Sequence, residues 1–414
     1  MGKLCPFRAG TRPVTLSPMN ALQTDVAVIG LGAMGAATLY QLARRGVATI
    51  GLDRYAPPHA MGSSHGETRI TRVAVGEGDA YVPFVRRSHA IWRELEAATG
   101  ETLLTECGLL MMAPRGVRTG HHGKTDFLNR TISVARRHGI AHELLDAGSI
   151  ASRFPAFGLA GNEEGYHEPG GGFVRPERCI AVQLQQAAAQ GATVRIGCAV
   201  RAVEPQAGGV LVRTDDGDIL ADQAVVAAGA WAGKLLGGPF GGTLVPYRQV
   251  LHWFLMDDEA PYQPGTCPAY IWMHGTAPED YFYGFPALPG TGEVKVATEQ
   301  YGAACDPDAA RLPVADSLRA EFHAAHVAGR LRGAQPDPGR SVSCLYTVTP
   351  DSSFVIDRHP DTNRITVVSA CSGHGFKHSA GVGEAVAQLV CDGRADVDLQ
   401  PFALARLRRL EPAQ

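Results

Sequence analysis

The stretch DVAVIGLGAMGAATLYQLARRGVATIGLD, residues 25–53, decides the fold class. It begins with a short apolar run rich in β-branched residues, which predicts a buried strand. An apolar helical face follows and stops at Gly46, and a second apolar run closes on Asp53. Between the first strand and the helix stand the glycines of a GxGxxG pattern, Gly30, Gly32 and Gly35. This order of elements predicts the first unit of a dinucleotide-binding α/β fold.

Each part of this unit has a physical task. Gly30 allows a tight turn, Gly32 lets the backbone approach a pyrophosphate, and Gly35 permits close packing of helix on strand. The N-terminus of the helix presents free N–H groups to phosphate. Asp53 stands where a carboxylate can hold a ribose 2′-hydroxyl, which argues against the 2′-phosphate of NADP. The motif alone does not separate FAD from NAD.

Two later segments belong to the same unit. Residues 221–236 read as a β-branched strand that runs into AAGAW and an apolar helix. Residues 363–390 read as another buried strand that opens into a glycine-rich turn and a helix. The dinucleotide-binding fold is therefore predicted to be assembled from three separated stretches, with other material inserted between them.

Composition bounds the function. The chain has 414 residues, 45% of them hydrophobic and 19% charged, with a formal net charge of −3. These values predict a globular protein without general affinity for nucleic acid or a membrane surface, and no apolar run is long enough to span a bilayer. The nine cysteines form no CxxC pair, which predicts a reducing cytoplasm and no metal site. Residues 1–22 read as a disordered extension that lacks the apolar core of a secretory signal.

Several further motifs resemble the FAD-dependent amine oxidases of the monomeric sarcosine oxidase and N-methyltryptophan oxidase family, in the D-amino acid oxidase superfamily. The matching segments are GLGAMG (30–35), PPHAMGSSHGETRITR (57–72), EGDAYVP (77–83), PYRQV (246–250), YGFP (283–286), SCLYTVTPD (343–351) and SGHGFKHSAGVGE (372–384). They cover the chain almost to its end and follow the order of the family.

The resemblance implies an α/β fold (α+β overall). It consists of a discontinuous Rossmann-like FAD-binding domain and an inserted antiparallel-sheet substrate domain. The FAD-binding domain is expected at residues 23–83, 166–240 and 336–414. The substrate domain is expected at residues 84–165 and 241–335.

The implied activity is oxidation of a secondary amine. An N-methyl amino acid would transfer a hydride equivalent to FAD, the imine would hydrolyse, and O₂ would be reduced to H₂O₂. The cysteine of the family's CxY pattern, here Cys344, implies a covalent bond from sulfur to the 8α-methyl of the flavin. The partners are then a small-molecule amine and O₂, with no nucleic acid and no membrane, and the protein is expected to be a cytoplasmic monomer.

The resemblance also implies a set of cofactor-binding residues. They are Gly30, Gly32, Ala33, Met34, Gly35, Asp53, Arg54, His59, Gly62, Ser63, Ser64, Thr68, Val200, Gly229, Trp231, Cys344, Leu345, Gly373, Gly375, Phe376 and Lys377.

Catalytic and substrate-binding roles are carried over in the same way. His65 and Arg69 are expected beside the isoalloxazine, and the hydroxyl of Tyr346 is expected to point into the substrate cavity. Arg72 and Lys377 match the pair that binds the substrate carboxylate, a role that suits the planar fork of arginine and the compact charge of lysine. Lys295 matches the lysine that activates oxygen, since an ammonium stabilises the charge that forms when O₂ takes an electron. Each of these residues has an ordinary alternative, a solvated loop or an exposed strand position.

The chain departs from the pattern at Glu299. Four places after the lysine, the sarcosine-type enzymes carry a histidine. A carboxylate facing the site would accept a hydrogen bond from, or pair with, a cationic substrate group, and an exposed Glu299 is the alternative.

The substrate class stays open at this point. Open-chain N-methyl amino acids lead, followed by cyclic imino acids such as pipecolate or proline, and by a larger amine of a specialised pathway. An NAD-dependent dehydrogenase is disfavoured by the GHGFK and CLY segments. A non-enzymatic flavin-binding protein would lack the charged set of Arg69, Arg72, Lys295 and Lys377.

Overall fold

The computed structural model describes residues 21–309 and 313–409. The predicted extension, residues 1–22, lies outside the described residues as far as residue 20, and Leu22 already belongs to the first strand. The helices are α1 (Ala33–Arg44), α2 (Val82–Thr99), α3 (Phe127–Arg137), α4 (Ala147–Arg153), α5 (Pro176–Ala189), α6 (Ala232–Leu236), α7 (Gly238–Gly241), α8 (Asp316–Phe322) and α9 (Ser379–Asp392).

The strands follow one another along the whole described chain. They are β1 (Leu22–Ile29), β2 (Thr49–Asp53), β3 (Arg69–Thr71), β4 (Leu104–Thr105), β5 (Leu109–Pro114), β6 (Glu143–Asp146), β7 (Glu163–Glu168), β8 (Gly172–Val174), β9 (Thr193–Ile196), β10 (Val200–Gln206), β11 (Gly209–Thr214), β12 (Ile219–Val226), β13 (Val245–Met256), β14 (Ala269–Met273), β15 (Tyr281–Gly284), β16 (Glu293–Ala297), β17 (Ala334–Val348), β18 (Val355–His359) and β19 (Thr362–Ser369).

The first sheet has the order β10-β11-β12-β1-β2-β9. β19 pairs with the end of β12, and β18 pairs with β19. Its centre is parallel: β1 pairs in parallel with β2 and β12, β2 with β9, and β12 with β19. Both faces of β1 are covered. Val26 and Val28 pack in one cluster with α1 and α9, whereas Ala27 and Ile29 pack in another, as the period-2 alternation of a strand requires.

Helix α1 packs against α5 and α9 on one face of this sheet. Small residues set the spacing. A Cβ on Gly383 of α9 would lie 2.5 Å from the Cβ of Ala37 in α1, so the two helices meet backbone to backbone at this point. The close contact brings the turn before α9 next to the turn before α1, and both turns contribute to the site described below.

The second sheet has the order β17-β13-β16-β15-β14-β5-β7-β6 and is antiparallel except where β5 pairs with β14. β13 and β17 pair over almost their full lengths. Residues 336–348, assigned above to the FAD-binding domain, therefore form part of a strand of the second sheet. In the second sheet this segment has a long antiparallel partner, since residues 342–348 of β17 pair with residues 245–251 of β13. The boundary between the two domains stays a prediction.

A small third sheet, β3-β8-β4, is formed by short strands in the segments of the chain that connect the two large sheets. Among the helices of the described residues, none combines the length and the apolar character that a bilayer crossing needs. The predicted α/β class, a parallel dinucleotide-binding sheet with a second, largely antiparallel sheet, is confirmed.

Candidate active site

A cavity of about 360 Å³ opens at the edge where the parallel strands of the first sheet end. β1, β2 and β19 place their last residues in its wall, and the turns that follow these three strands and β12 line it as well. Because the carboxyl ends of parallel strands meet on one edge, segments from opposite ends of the chain face the same space. This is the position at which open α/β sheets bind their ligands.

The glycine turn between β1 and α1 forms one wall of this large cavity. Gly30 has φ +85°, and a Cβ there would lie 2.6 Å from the carbonyl oxygen of Ala227. A Cβ on Gly35 would lie 1.7 Å from the carbonyl oxygen of Gly30, so α1 can start this close to the strand only with glycine at both places. Gly32 lines the cavity, and a Cβ on it would have Ser64 Oγ as its nearest neighbour, at 3.7 Å. The N-terminus of a 12-residue helix is thus directed at open space, which suits a phosphate.

Asp53 ends β2 with its carboxylate held in place. Oδ2 accepts a hydrogen bond from the N–H of Leu31 at 2.8 Å, and Oδ1 accepts one from the N–H of Tyr55 at 2.8 Å. His59 Nε2 lies 3.4 Å from Oδ1. The side chain lines the cavity although it is only 7% exposed, as expected for an acid that recognises a ribose hydroxyl.

At its outer end the cavity is bordered by an ion-pair cluster of Arg54, Trp231, Lys234 and Asp308. Asp308 Oδ1 accepts from Arg54 Nη1 at 2.8 Å and from Trp231 Nε1 at 2.7 Å, and Oδ2 accepts from Lys234 Nζ at 3.0 Å. The hydrogen bond from Trp231 and those from the two cations lower the pKa of Asp308 to about 2. The segment after β16 is therefore tied to the first domain by an ionised aspartate that the sequence did not single out.

At its inner end the cavity reaches the loop that follows β2. Arg69 donates from Nη1 to the carbonyl oxygen of Thr68 and from Nη2 to that of Ser63, both at 2.8 Å. Cys344 on β17 is fully buried behind this loop, with Sγ 3.7 Å from Ser63 O and 3.9 Å from Arg69 Nη2. A second cysteine, Cys371, lies in the cavity wall itself.

Lys295 lies beneath the same loop. Its Nζ donates to the carbonyl oxygens of Gly66 and Thr68, each at 2.7 Å, and lies 4.6 Å from the ring centroid of Phe285. Burial and the charge of Arg69 hold the pKa of Lys295 well below its usual value. Lys295 is buried, not exposed on a strand edge, and it lines neither the large cavity nor the smaller one described next.

Glu177, at the start of α5, holds the loop above Lys295. Its Oε1 accepts hydrogen bonds from the N–H groups of Gly66 at 2.6 Å and Glu67 at 3.0 Å. Both loop residues have positive φ, +96° and +71°. The carboxylate therefore stabilises a backbone conformation that turns two carbonyl groups toward the lysine.

A smaller cavity of about 60 Å³ adjoins the large one. Its wall consists mainly of charged and aromatic side chains, namely Arg69, Ile70, Arg72, His121, His122, Ile271, Tyr283, Glu299, Tyr346, Gly373, His374, Phe376 and Lys377. Four of these residues, Arg69, Tyr346, Gly373 and Phe376, also line the large cavity. A molecule in the small cavity would therefore lie next to the inner end of a ligand in the large one.

A single carboxylate, Glu77, contacts three cations of this wall without belonging to the wall itself. Arg72 Nη2 lies 3.3 Å from Oε2, while Lys377 Nζ lies 3.7 Å and His122 Nδ1 3.1 Å from Oε1. Burial opposes ionisation, but these cations, Lys377 first, hold the pKa of Glu77 well below its usual value. Burial lowers the pKa of Lys377 to about 7 although Glu77 opposes the shift.

On the other side of the His122 ring, the side chain of Glu299 is buried and lines the small cavity. Oε1 accepts a hydrogen bond from His122 Nε2 at 2.9 Å, and Oε2 accepts from the hydroxyls of Tyr281 at 3.0 Å and Tyr301 at 2.6 Å. Burial raises the pKa of Glu299, but His122 outweighs it and the net shift is downward. Burial likewise disfavours the charge of His122, and the carboxylates of Glu299 and Glu77 overcome it and raise the pKa of this imidazole to about 9.

Three side chains of this region have the spacing of metal ligands: the ligand atoms of His121, His122 and Glu299 lie within 4.8 Å of one another. Both ring nitrogens of His122 are hydrogen-bonded to carboxylates, which makes it an imidazolium, and an imidazolium has no free lone pair for a metal. The group is an ion-pair network. That the protein uses no metal stays a prediction.

Most residues predicted to hold the cofactor line the large cavity. They are Gly30, Gly32, Ala33, Met34, Asp53, Arg54, His59, Gly62, Ser63, Ser64, Val200, Gly229, Trp231, Gly373, Gly375 and Phe376. The predicted residues outside its wall are Gly35, Thr68, Cys344, Leu345 and Lys377. Gly35 serves helix packing, and Lys377 faces the small cavity. Thr68 belongs to the inner loop and contacts Lys295, whereas Cys344 lies behind the loop in contact with Ser63.

The predicted chemical residues are divided between several places. Arg69 and Tyr346 line both cavities, and Arg72, Lys377 and Glu299 line the small one. His65 is buried and, like Lys295, lines neither.

Sequence reasoning missed the partners of these groups. Glu77 lies inside the quoted motif EGDAYVP, where its acidic side chain was a signal without an assigned role. His122, Tyr281, Tyr301 and Asp308 lie in segments with no recognisable pattern, and nothing local to them indicates the contact that each one makes.

The fold and the large cavity are typical of a class of protein, the enzymes that bind a dinucleotide at the edge of a parallel sheet. The chain belongs to the family of FAD dependent oxidoreductases called DAO, whose sequence profile matches residues 25–389.

Relatives support this assignment. The chain is 35% identical to monomeric sarcosine oxidase of Bacillus sp. (strain NS-129), with 92% of this chain and 96% of the relative covered. It is 33% identical to N-methyl-L-tryptophan oxidase of Yersinia pestis (strain Pestoides F), with 93% and 99% covered. Among solved structures, NikD, an amino acid oxidase of nikkomycin biosynthesis, has a TM-score of 0.78 at 26% identity and covers 92% of this chain and 98% of its own.

The protein is therefore an FAD-dependent oxidoreductase of the amine and amino acid oxidase class, with a small-molecule substrate. The residues present fit FAD. The turn before α1 leaves Gly32 open to the cavity, and Asp53 lines the cavity at the end of β2. The cavity continues to the loop at Ser63 and Arg69.

The charge state of His122 predicts how the stability of the protein varies with pH. A histidine whose pKa rises on folding stabilises the fold fully below its unfolded pKa of about 6.5. That contribution, about 3 kcal/mol, is lost as the pH rises through about 9. The melting temperature of the wild type should therefore fall between pH 6.5 and 9.5 more steeply than that of His122→Gln.

His89 provides the control, because burial lowers its pKa to about 4 and it stays neutral over this range. His89→Gln should keep the slope of the wild type. Parallel melting curves for wild type and His122→Gln across the range would show that His122 carries no charge in the folded protein.

Proposed function

We propose that the protein oxidises the secondary amine of a small amino acid, with open-chain N-methyl amino acids as the leading class. The observation that carries this proposal is the shared wall of the two cavities. Arg69, Tyr346, Gly373 and Phe376 border both, so a substrate in the small cavity adjoins the inner end of the cofactor. FAD bound there supplies a two-electron acceptor, which takes a hydride equivalent from the amine to leave an imine and is returned to its oxidised state by O₂ with formation of H₂O₂.

The residues of the large cavity are assigned to the parts of FAD. The N-terminus of α1, where Gly32 and Ala33 line the large cavity, is the site for the pyrophosphate, and Asp53 is the site for the ribose. The inner loop at Ser63 and Arg69 is the site for the isoalloxazine. The guanidinium of Arg69 donates to two carbonyl groups, which fixes the position of its charge beside the proposed site of the isoalloxazine ring.

Arg72 and Lys377 are assigned to the substrate carboxylate. Both are buried, both line the small cavity, and Glu77 balances their charges. A carboxylate that binds beside Lys377 favours the ammonium form and raises the pKa that burial has lowered. The pair can thus discriminate an amino acid from a plain amine.

Tyr346 and Tyr283 complete the wall that faces the substrate. Their hydroxyls lie 3.2 Å apart in a hydrogen bond, which fixes both rings. The imine is proposed to hydrolyse in water after it forms. The proposal also includes O₂ as the electron acceptor, a monomeric state and a cytoplasmic location.

A cyclic imino acid or a specialised amine is the second candidate. The observation that favours it is Glu299, which faces the small cavity where the sarcosine-type enzymes carry a histidine. A different charge at this position changes which amine fits.

The proposed function is tested by anaerobic bleaching of the visible flavin spectrum with a panel of amines. The panel holds sarcosine, N-methyltryptophan, proline, pipecolate and glycated amino acids. Rapid bleaching by sarcosine or another small N-methyl amino acid is expected, because the cavity is small and bounded by buried charges. If dithionite reduces the flavin but none of these amines does, the proposal is wrong, and bleaching by the cyclic acids alone selects the second candidate.

Covalent attachment through Cys344 predicts flavin fluorescence that stays with the denatured polypeptide on a gel. Cys344→Ser should remove this fluorescence, because serine cannot form the thioether. Cys371→Ser is the matched control, since Cys371 lies in the cavity wall close to Ser63 yet should leave attachment intact. If the fluorescence survives in Cys344→Ser and disappears in Cys371→Ser, the flavin is attached to Cys371 and the assignment to Cys344 is wrong.

Lys295 is proposed to speed the reaction of the reduced cofactor with O₂. Lys295→Met should slow reoxidation by two or more orders of magnitude, in the range for loss of one preorganised charge. Stopped-flow mixing of photoreduced enzyme with O₂ measures this step without any substrate. Arg340→Met is the control and should reoxidise normally: it removes a cation that lies 4.1 Å from the ring centroid of Trp253, a ring that Lys295 approaches to 5.7 Å. Equal rates in wild type and Lys295→Met would rule the role out.

A further inference from the structure

The small cavity is electrically polarised. Glu77 lies within 3.7 Å of three cationic side chains, Arg72, Lys377 and His122. Among the residues the structure describes, Glu299 has one cationic partner in ion-pair contact, His122. On the Glu77 side of His122 the cations therefore outnumber the carboxylate, whereas the charge of Glu299, on the other side of the ring, is shared with this single imidazole.

The carboxylate of Glu299 has a defined orientation. Its three hydrogen bonds come from His122, Tyr281 and Tyr301, and its side chain is 4% exposed. The backbone of His122 has a φ of +48°, a conformation that is uncommon outside glycine. Two tyrosines and a strained histidine thus converge on one acid, more hydrogen-bonding support than an acid left at a core boundary by chance would have.

The oxygen that bonds to His122 also faces the wall shared by the two cavities. A Cβ on Gly373 would lie 2.6 Å from Glu299 Oε1, so this oxygen lies against the backbone of the turn before α9. Gly373 borders both cavities. Glu299 is therefore placed beside the space where a substrate meets the cofactor.

We infer that Glu299 is an ammonium subsite: the substrate binds as a zwitterion, with its amine in the cationic form at Glu299 Oε1 and its carboxylate at Arg72 and Lys377. This inference rests on the proposed function and deepens it, since it names the ionic form of the substrate.

The polarity of the cavity matches this ligand. An α-amino acid zwitterion carries its ammonium and its carboxylate group on the same carbon, and the wall of the small cavity offers a carboxylate, Glu299, together with the cations Arg72 and Lys377. A buried carboxylate near an ammonium favours the charged form of that ammonium. The subsite concerns binding: the amine bound there carries one proton more than the neutral amine that is oxidised.

The test compares two ligands of equal shape, glycine and propanoate, which differ by an ammonium in place of a methyl group. Each is titrated anaerobically into the FAD-loaded enzyme, and the dissociation constant is read from the perturbed flavin spectrum before any reduction. The quantity of interest is the ratio of the two dissociation constants, propanoate over glycine. Comparing this ratio between variants cancels the cost of desolvating each ligand.

The ratio should fall at least tenfold in Glu299→Gln, which keeps the shape of the side chain and removes its charge. Glu299→His, which places the histidine of the sarcosine-type enzymes in this chain, is the second variant and should lower the ratio at least as far. Glu293→Gln, on β16 and paired with Arg340, removes a carboxylate outside the cavity and should keep the ratio of the wild type.

An unchanged ratio in Glu299→Gln, or an equal loss of affinity for both ligands, would overturn the inference and leave Glu299 a structural acid. If the same enzyme is bleached by an N-methyl amino acid, the proposed function stands without the subsite. If neither ligand perturbs the spectrum of the wild type, the cavity does not take α-carboxylates, and both the subsite and the carboxylate role of Arg72 and Lys377 are wrong.

Discussion

The contact between Gly35 and the carbonyl group of Gly30 is the constraint on which the site depends. A side chain at residue 35 would overlap that oxygen, so only glycine lets α1 begin immediately beside the end of β1. With the helix in this place, its N-terminus points along the edge of the parallel sheet. The turns after β2, β12 and β19 reach the same edge, and together they enclose the large cavity. One missing methyl group thus allows a cofactor site to be assembled from four separate segments.

The chemistry beside this site is governed by the cost of buried charge. Arg72, Lys377 and His122 would be expensive to bury alone, and Glu77 compensates all three. Glu299 is compensated in turn by His122 and two phenols. Such a network is rigid, because moving one member leaves another without its partner. A rigid, polarised wall selects a ligand by its charges, whereas an apolar wall would select by size alone.

The two sheets contribute in different ways. The first supplies strand ends, which place backbone turns around a cofactor. The second supplies strand faces and the segments beyond them, which bring Lys295 and Cys344 behind the inner loop. β17 belongs to the second sheet, so the predicted attachment cysteine, Cys344, reaches the inner loop from that sheet. Glu177 completes the arrangement by holding the loop between the two sheets.

The sequence by itself determined the β1–α1–β2 unit, its glycines and Asp53, because hydrophobic period and backbone sterics act over a few neighbouring residues. Through the resemblance it also indicated Arg72 and Lys377, which do share a cavity. Tertiary structure decided the partners. β16 ends at Ala297, so strand alternation could not show where Glu299 points. His122 bonds to carboxylates 45 and 177 residues away, and no local pattern encodes such contacts. A buried charge needs its counter-charge within a few ångströms in space, and only the folded chain sets that distance.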